Sequence, residues 1–141
     1  MRQLNSAKVL IHLKLFIMKT ISLVTSTEKY PLSVIKSVHN AKDFMNADIS
    51  LHLVLKKLAK QSGTNEYTLK KAFKAIFKIS VYQYLLKTRM EHALKLIGET
   101  TYKETVIAGE CGYETLSGFI TTFHKYFGQK PGDVRKYLQP F

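Results

Sequence analysis

Apolar residues recur mostly at intervals of three and four positions along the chain, and rarely in strict alternation. Intervals of three and four follow one face of an α-helix, whereas alternation follows one face of a strand. Three prolines and seven glycines leave long stretches without a helix breaker. The sequence therefore predicts an all-α protein. The predicted helices lie near residues 4–18, 32–45, 51–61, 65–77, 81–97, 102–111, 115–127 and 131–138.

Two spacings mark where helices begin. Ser80 with Gln83, and Thr101 with Glu104, have the S/T-x-x-E/Q spacing of a capping box, in which each side chain hydrogen-bonds the backbone N–H of the other residue. Helices are therefore expected to start near residues 81 and 102. Pro131 suits the first position of the last short helix, because a residue there needs no hydrogen-bonded N–H.

Turn-forming residues suggest how the chain is divided. The hydroxyl-rich residues 25–27, followed by Tyr30 and Pro31, predict a loop or boundary. The sequence signals for helix starts and turns become sharper from Ser50 onwards. The predicted parts are an N-terminal extension at 1–30, a helical linker at 31–49 and the main domain at 50–138.

The main domain repeats itself with an offset of about 50 residues. Each copy has an apolar residue followed by alanine, then a glycine, then three apolar anchors spaced by four. The first copy contains Leu58, Ala59, Gly63, Leu69, Phe73 and Phe77, and the second contains Ile107, Ala108, Gly112, Phe119, Phe123 and Phe127. A short helix, a glycine turn and an anchored second helix form the plan of a helix-turn-helix. The sequence therefore predicts two such units, joined by the helix at 81–97.

The small residues of the repeat have a physical explanation. Ala59 and Ala108 lie where the two helices of a unit must cross closely, and Gly63 and Gly112 can take the positive φ of a tight helix exit. Any helical hairpin has these needs, so one copy alone indicates only a hairpin. Two copies in register favour the helix-turn-helix.

The second helix of the first unit, near 65–77, has one apolar side and one cationic side at about 100° per residue. A helix with charge of one sign repels itself, so stability alone does not explain it. Lysine reaches phosphates and guanine O6 and N7, and tyrosine contacts sugar, phosphate or a thymine methyl. The candidate DNA-contacting residues are Tyr67, Thr68, Lys70, Lys71 and Lys74. The alternative is a solvated lysine face without a ligand.

The corresponding helix of the second unit, near 115–127, carries less charge. Its phenylalanines are expected to face the core, with Leu116 and Ile120 on the flank. Hydroxyls can bond bases or phosphates, and apolar side chains can touch thymine methyls. The candidates here are Ser117, Ile120, Thr121, His124 and Lys125. We expect the first unit to dominate electrostatic affinity.

The net charge of +12 narrows the class of partner, because it attracts polyanions. Double-stranded DNA is the first candidate partner, and non-specific nucleic-acid binding is an alternative. Another alternative is a membrane-surface or protein-interaction module, in which residues 4–18 bind lipid or a partner helix. His12, Lys14 and Lys19 interrupt the apolar run at 9–24, so neither a signal peptide nor a membrane span is expected.

Catalytic motifs are absent from the sequence. It contains no H-E-x-x-H and no G-x-x-x-x-G-K-[ST], and its five histidines share no motif spacing. Cys111 precedes a turn glycine and is expected to be a small buried residue rather than a nucleophile. We therefore expect no enzyme activity, no metal and no cofactor. A single cysteine forms no internal disulfide, which favours the cytoplasm.

With these residues in view, the chain from Ser50 to Tyr137 resembles the DNA-binding domain of the AraC/XylS transcription regulators of bacteria. Three blocks carry the likeness: Leu58 and Ala59 with 65–73; Tyr84 and Leu85 with 89–93 and Leu96; and Ile107 and Ala108 with Gly112, Tyr113, Ser117, Phe119, Phe123, Phe127, Gly128, Pro131 and Arg135. The Asn-Glu-Tyr-x-Leu-Lys-Lys wording at 65–71 is most similar to the siderophore-responsive, PchR-like branch of that family.

The resemblance implies a homeodomain-like all-α domain whose two recognition helices enter successive major grooves on one DNA face. It also implies transcription activation through contact with RNA polymerase. The base-contacting positions implied by the family motif are Tyr67, Lys70 and Lys71 in the first unit, and Ser117, Ile120 and Thr121 in the second. We expect a monomer or a weak dimer.

Several features depart from the family pattern. Lys78 stands where a helix-ending glycine is usual, and Gly118 lies inside a recognition helix at a cost of about 1 kcal/mol relative to alanine. Ile120 and Thr121 replace residues that are often polar or basic. The residues at 1–49 are also fewer than a small-molecule sensor domain of the family needs.

Overall fold

The computed structural model describes residues 3–139, which form eight α-helices and no strand. The helices are α1 (Gln3–Thr27), α2 (Leu32–Ala47), α3 (Leu55–Gln61), α4 (Glu66–Phe77), α5 (Val81–Glu99), α6 (Glu104–Glu110), α7 (Leu116–Phe127) and α8 (Pro131–Leu138). The predicted all-α class is confirmed. Met1 and Arg2, the first residues of the predicted extension, lie outside the described residues.

Buried side chains form two cores, one in each helix-turn-helix unit. The first core lies between α2, α3, α4 and the start of α5, and the second lies between the rest of α5, α6 and α7. The largest buried side chains are Met45, Leu58, Leu69 and Phe73 in the first core, and Met90, Ile97, Ile107, Phe119 and Phe123 in the second. Each such side chain contributes roughly 1.5–3 kcal/mol by its burial. Because α5 supplies residues to both cores, one rigid helix connects the two units.

The segment predicted as a helical linker is helical, and it also forms one wall of the first core. Val38, Ala41 and Met45 of α2 are fully buried. The helix packs against α3 and α4, and Ser37 donates a hydrogen bond to the carbonyl of Gly63 at 3.3 Å. The division of the chain at 30/31 and 49/50 stays a prediction.

The first helix is longer than the pattern predicts, and the loop predicted at 25–27 is wrong. α1 continues to Thr27, and the N–H of Glu28 still donates to the carbonyl of Val24 at 3.0 Å. The hydroxyl of Thr27 donates to the same carbonyl at 2.9 Å. Threonine remains compatible with a helix when its hydroxyl bonds back in this way. Pro31 then precedes the start of α2.

The predicted start of α3 near 51 is also wrong, because residues 51–54 are not helical and α3 starts at Leu55. The carbonyls of Ile49 and Leu51 instead accept hydrogen bonds from Arg89 of α5, at 2.7 and 3.0 Å. A carbonyl occupied by a distant side chain gives no support to a local helix. The chain therefore runs past α5 before α3 begins.

Of the two predicted capping boxes, one is confirmed and one is wrong. Ser80 and Gln83 cap each other's backbone at the start of α5. α6 instead starts after Lys103, which makes no side-chain cap. The hydroxyl of the neighbouring Thr100 donates to the carbonyl of Leu96 in α5 at 2.7 Å. Arg135 of α8 donates to the carbonyl of Thr100 at 2.8 Å. Contacts from another helix thus order this loop in place of the predicted box.

The second helices of the two units, α4 and α7, begin and end at equivalent positions of the repeat. The side chain of Asn65 accepts from Thr68 N at the start of α4, and that of Thr115 accepts from Gly118 N at the start of α7. Pro131 opens α8 at its first turn, as predicted. The positive φ predicted for the two turn glycines is confirmed, at 84° for Gly63 and 76° for Gly112.

α4 and α7 end at different residue types, and only the residue that ends α4 has a strained backbone. Lys78 ends α4 with a φ of 64°, and Gly128 ends α7 with a φ of 75°. The left-handed conformation costs an L-residue with a Cβ about 1–2 kcal/mol. Glycine avoids this cost but loses roughly 0.5–1 kcal/mol through the greater freedom of its unfolded chain.

We expect Lys78→Gly to raise the free energy of unfolding by about 0.5–1 kcal/mol, which is the difference between these two effects. Chemical denaturation followed by circular dichroism measures it. The matched control is Gly128→Lys, where a Cβ would meet no atom within 4 Å. It should lose a similar amount from backbone strain alone. Unchanged midpoints for both variants would contradict the strain.

Candidate nucleic-acid interface

The outer side of α4 is polar and positively charged. Leu69, Ala72, Phe73 and Ile76 are buried on its inner side. Tyr67 is 66% exposed, and the three lysines are exposed. We define the lysine face as Tyr67, Lys70, Lys71 and Lys74. The predicted separation of apolar and cationic sides is thus confirmed. Thr68 is half-buried, and its N–H is used by the Asn65 cap.

Aromatic rings hold the inner side of α4 in place. Phe73 packs against Phe77 with ring centroids 4.7 Å apart, and against Tyr84 of α5 at 5.6 Å. Such aromatic pairs contribute about 0.5–1.5 kcal/mol beyond the area that they bury. The lysine face is consequently carried on a helix whose rotation about its own axis is fixed by the core.

Neighbouring side chains contact two of the lysines. Lys70 donates to Glu66 at 2.9 Å, and this hydrogen bond, helped by the carboxylate charge, raises the pKa of Lys70. The ammonium of Lys71 lies 4.5 Å from the ring centroid of Tyr67, which suits a cation–π contact. Exposed ion pairs of this kind contribute little, so a phosphate can replace Glu66 at small cost.

A fourth lysine, which the sequence pattern does not indicate, lies beside the lysine face. The turn after α1 borders α4, and the two form a shallow groove. The groove is lined by Lys29, Tyr30, Lys70, Lys71, Lys74 and Ala75. Lys29 lies about 40 positions from these lysines in the chain, so helical periodicity gives no signal for it. Packing of α1 against α4 brings it there.

The outer side of α7 is polar and less charged. Phe119 and Phe123 are fully buried, whereas Ser117, Thr121, His124 and Lys125 are exposed, as predicted. Leu116 and Ile120 are half-buried and pack on the second core. Ile120 therefore presents only part of its surface to a ligand. The hydroxyl of Thr122, next to Thr121, donates to the carbonyl of Gly118 at 2.8 Å within the helix.

Arg89 lies where the two units meet. It donates to the carbonyls of Ile49 and Leu51, and its guanidinium carbon is 5.6 Å from the ring centroid of Tyr113 in the second unit. The turn of the second unit approaches the same stretch of chain, because a Cβ on Gly112 would lie 2.6 Å from the Cα of Ser50. The chain at 48–51 therefore passes between α5 and the second turn.

Three observations concern catalysis, metal binding and membranes. Burial raises the pKa of the Cys111 thiol to about 11, so the thiol is neutral near pH 7. Over residues 3–139, no group of three or more His, Cys, Asp or Glu side chains is placed to hold a metal ion. Within the same residues, no helix has both the length and the hydropathy required to cross a membrane.

One family model covers both copies of the repeat. A family model described as a helix-turn-helix domain matches residues 58–137. The HTH-type transcriptional activator RhaR of Klebsiella pneumoniae is 30% identical over 90 residues, which cover 64% of this chain and 32% of RhaR. The chain thus spans about a third of the length of that relative.

Solved structures share the fold. A DNA-binding transcriptional dual regulator from Escherichia coli K-12 has a TM-score of 0.67 at 25% identity, covering 75% of this chain and 95% of that one. The C-terminal domain of AraT, a response regulator from Geobacillus stearothermophilus, has a TM-score of 0.69 at 29% identity, covering 72% and 84%. Both matches extend over most of the two units.

Proposed function

This chain belongs to the helix-turn-helix domain family of the AraC-type transcription regulators, and we propose that it binds double-stranded DNA sequence-specifically through α4 and α7. The family consists of DNA-binding regulators of transcription rather than enzymes. The observation that carries the proposal is the lysine face, which is turned outward on a helix anchored by Phe73.

The two recognition helices have different tasks in this proposal. Tyr67, Lys70 and Lys71 read base edges in one major groove, because lysine donates to guanine O6 and N7. Thr68, Lys74 and the adjacent Lys29 contact phosphates. In the second groove, the less charged α7 reads bases through hydroxyl and apolar contacts. The residues proposed for α7 are Ser117, Ile120, Thr121, His124 and Lys125.

The chain acts as an activator through contact with RNA polymerase, as a monomer or a weak dimer, in the bacterial cytoplasm. The wording at 65–71 supports a place in the siderophore-responsive, PchR-like branch. No catalytic role is proposed, since a buried, protonated Cys111 is a poor nucleophile.

Selection of binding sites from random duplexes tests the proposal directly. We expect a preferred sequence with two subsites about 10 base pairs apart, which is one helical turn of DNA. A single selected subsite would show that α7 does not read DNA. Salt-sensitive binding without any preferred sequence would contradict specificity and favour the non-specific alternative.

Lys70→Ala and Lys71→Ala should each weaken binding to the selected site by about 1–3 kcal/mol, because a base contact is lost. Binding to random DNA should weaken much less. Fluorescence anisotropy with both duplexes measures the two losses. Lys95→Ala, which removes the same charge from an exposed position of α5, is the control. Equal losses on both duplexes would assign that lysine to a phosphate instead.

A further inference from the structure

The first helix exposes an unusual amount of apolar surface. α1 is 25 residues long, and it packs against α4. Phe16 and Met18 are each 68% exposed. The other exposed large apolar side chains of α1 are Val9, Leu10, Ile11, Leu13, Leu15, Ile17, Ile21 and Val24. Contiguous apolar surface of this kind marks a site of interaction with a protein or a membrane.

The charges on α1 favour a membrane over a protein as the partner of this surface. Lys8, His12 and Lys19 fall within about 40° of one another around the helix at 100° per residue, and so form one polar stripe. Lys14 lies apart from that stripe. No Asp or Glu occurs before Glu28. Pairing α1 with a second copy would bring like charges together without an acidic partner, whereas an anionic surface complements them.

We propose that α1 binds the surface of an anionic lipid bilayer, lying parallel to it with its apolar side chains between the head groups. Its lysines are spread along the helix, so an orientation across the bilayer would bury charge. In the parallel orientation Lys8 and Lys19, on the polar stripe, face the lipid phosphates directly. Lys14 reaches the phosphates by extending its ammonium past the apolar side chains that surround its methylene chain. This binding site is separate from the lysine face, and it does not depend on the proposed function.

The absence of tryptophan from the chain allows a direct test. The variant F16W places the only tryptophan of the chain at an exposed position of α1. With vesicles of phosphatidylcholine mixed with phosphatidylglycerol, we expect a blue shift of its emission and co-sedimentation of the chain. Pure phosphatidylcholine vesicles should bind far less, because each lysine near an anionic surface contributes roughly fivefold in affinity.

Two charge variants of F16W locate the site. K8Q/K14Q/K19Q should bind the mixed vesicles about a hundredfold more weakly and should retain the binding to DNA of the parent chain. K70Q/K71Q/K74Q, which removes three lysines from α4, should retain most of the vesicle binding. The reverse pattern would assign the lipid to the lysine face and overturn the proposal. A blue shift that grows with protein concentration without lipid would overturn it in favour of a second copy, and no shift with either vesicle would overturn it outright.

Discussion

Replacing Gly112 by alanine should lower the free energy of unfolding by about 2–5 kcal/mol. Two effects add. A Cβ at a φ of 76° costs about 1–2 kcal/mol. The same Cβ would lie 2.6 Å from the Cα of Ser50 and 2.9 Å from its carbonyl oxygen. Backbone atoms cannot turn aside as a side chain can, and such overpacking costs a further 1–3 kcal/mol or so.

Gly63→Ala is the matched control, because Gly63 occupies the equivalent turn of the first unit. Its φ is 84°, but a Cβ there would lie 3.5 Å from the hydroxyl oxygen of Ser37, an ordinary contact. This variant should lose only the conformational part, about 1–2 kcal/mol. Urea denaturation followed by circular dichroism measures both losses. Equal losses would show that the chain at 48–51 moves freely away from the second turn.

Arg89→Ala should lower the free energy of unfolding by about 2–4 kcal/mol. The variant loses two hydrogen bonds from a charged donor, at 2.7 and 3.0 Å, and each such bond contributes about 1.5–3 kcal/mol when it is well shielded from water. Arg89 is half-buried, so the lower part of that range applies. The variant also loses the contact with the Tyr113 ring.

A control separates stability from the coupling of the two units. Arg135 also donates two hydrogen bonds to carbonyls, those of Thr100 and Tyr102, but it does so within the second unit. Arg135→Ala should therefore cost comparable stability. The chain should bind a duplex with both subsites more tightly than a duplex with the first subsite alone. Only Arg89→Ala should also reduce this gain in affinity. We expect a reduction of roughly tenfold, since linked sites gain affinity only when their geometry is held.

This second readout depends on the proposed DNA binding, whereas the stability readout does not. Anisotropy titrations with the two duplexes, made at a temperature where both variants are folded, give the comparison. An unchanged gain in affinity in Arg89→Ala would show that α5 alone holds the two units in register. An unchanged unfolding midpoint would show that the guanidinium hydrogen bonds add no net stability.

The sequence predicts the two recognition helices well because their signals are local. The buried and exposed sides of α4 follow from positions three and four apart, and they agree with the structure at Phe73 and at Lys71. The turn glycines and the Ser80 capping box are equally local. Each depends on backbone conformation within one or two helical turns.

The errors arise where a distant residue competes for a backbone group. Residues 51–54 have a helical pattern, but Arg89 donates hydrogen bonds to the carbonyls of Leu51 and Ile49. Arg89 lies 38 and 40 positions from these two residues in the chain. Thr101 and Glu104 have the right spacing for a box, but Arg135 orders that loop from 35 positions away. No sequence window of one or two turns contains both partners of such a contact.

The spacing of apolar, small and charged residues is enough to predict the all-α class, the two repeated units and the outward lysines of α4, because side-chain direction along a helix follows from spacing. Three other features cannot be predicted from spacing: α2 completes the first core, Lys29 lies beside the lysine face, and Arg89 bridges the two units. Those features come from packing between segments far apart in the chain, where the free energy of burial and of shared hydrogen bonds outweighs local preference.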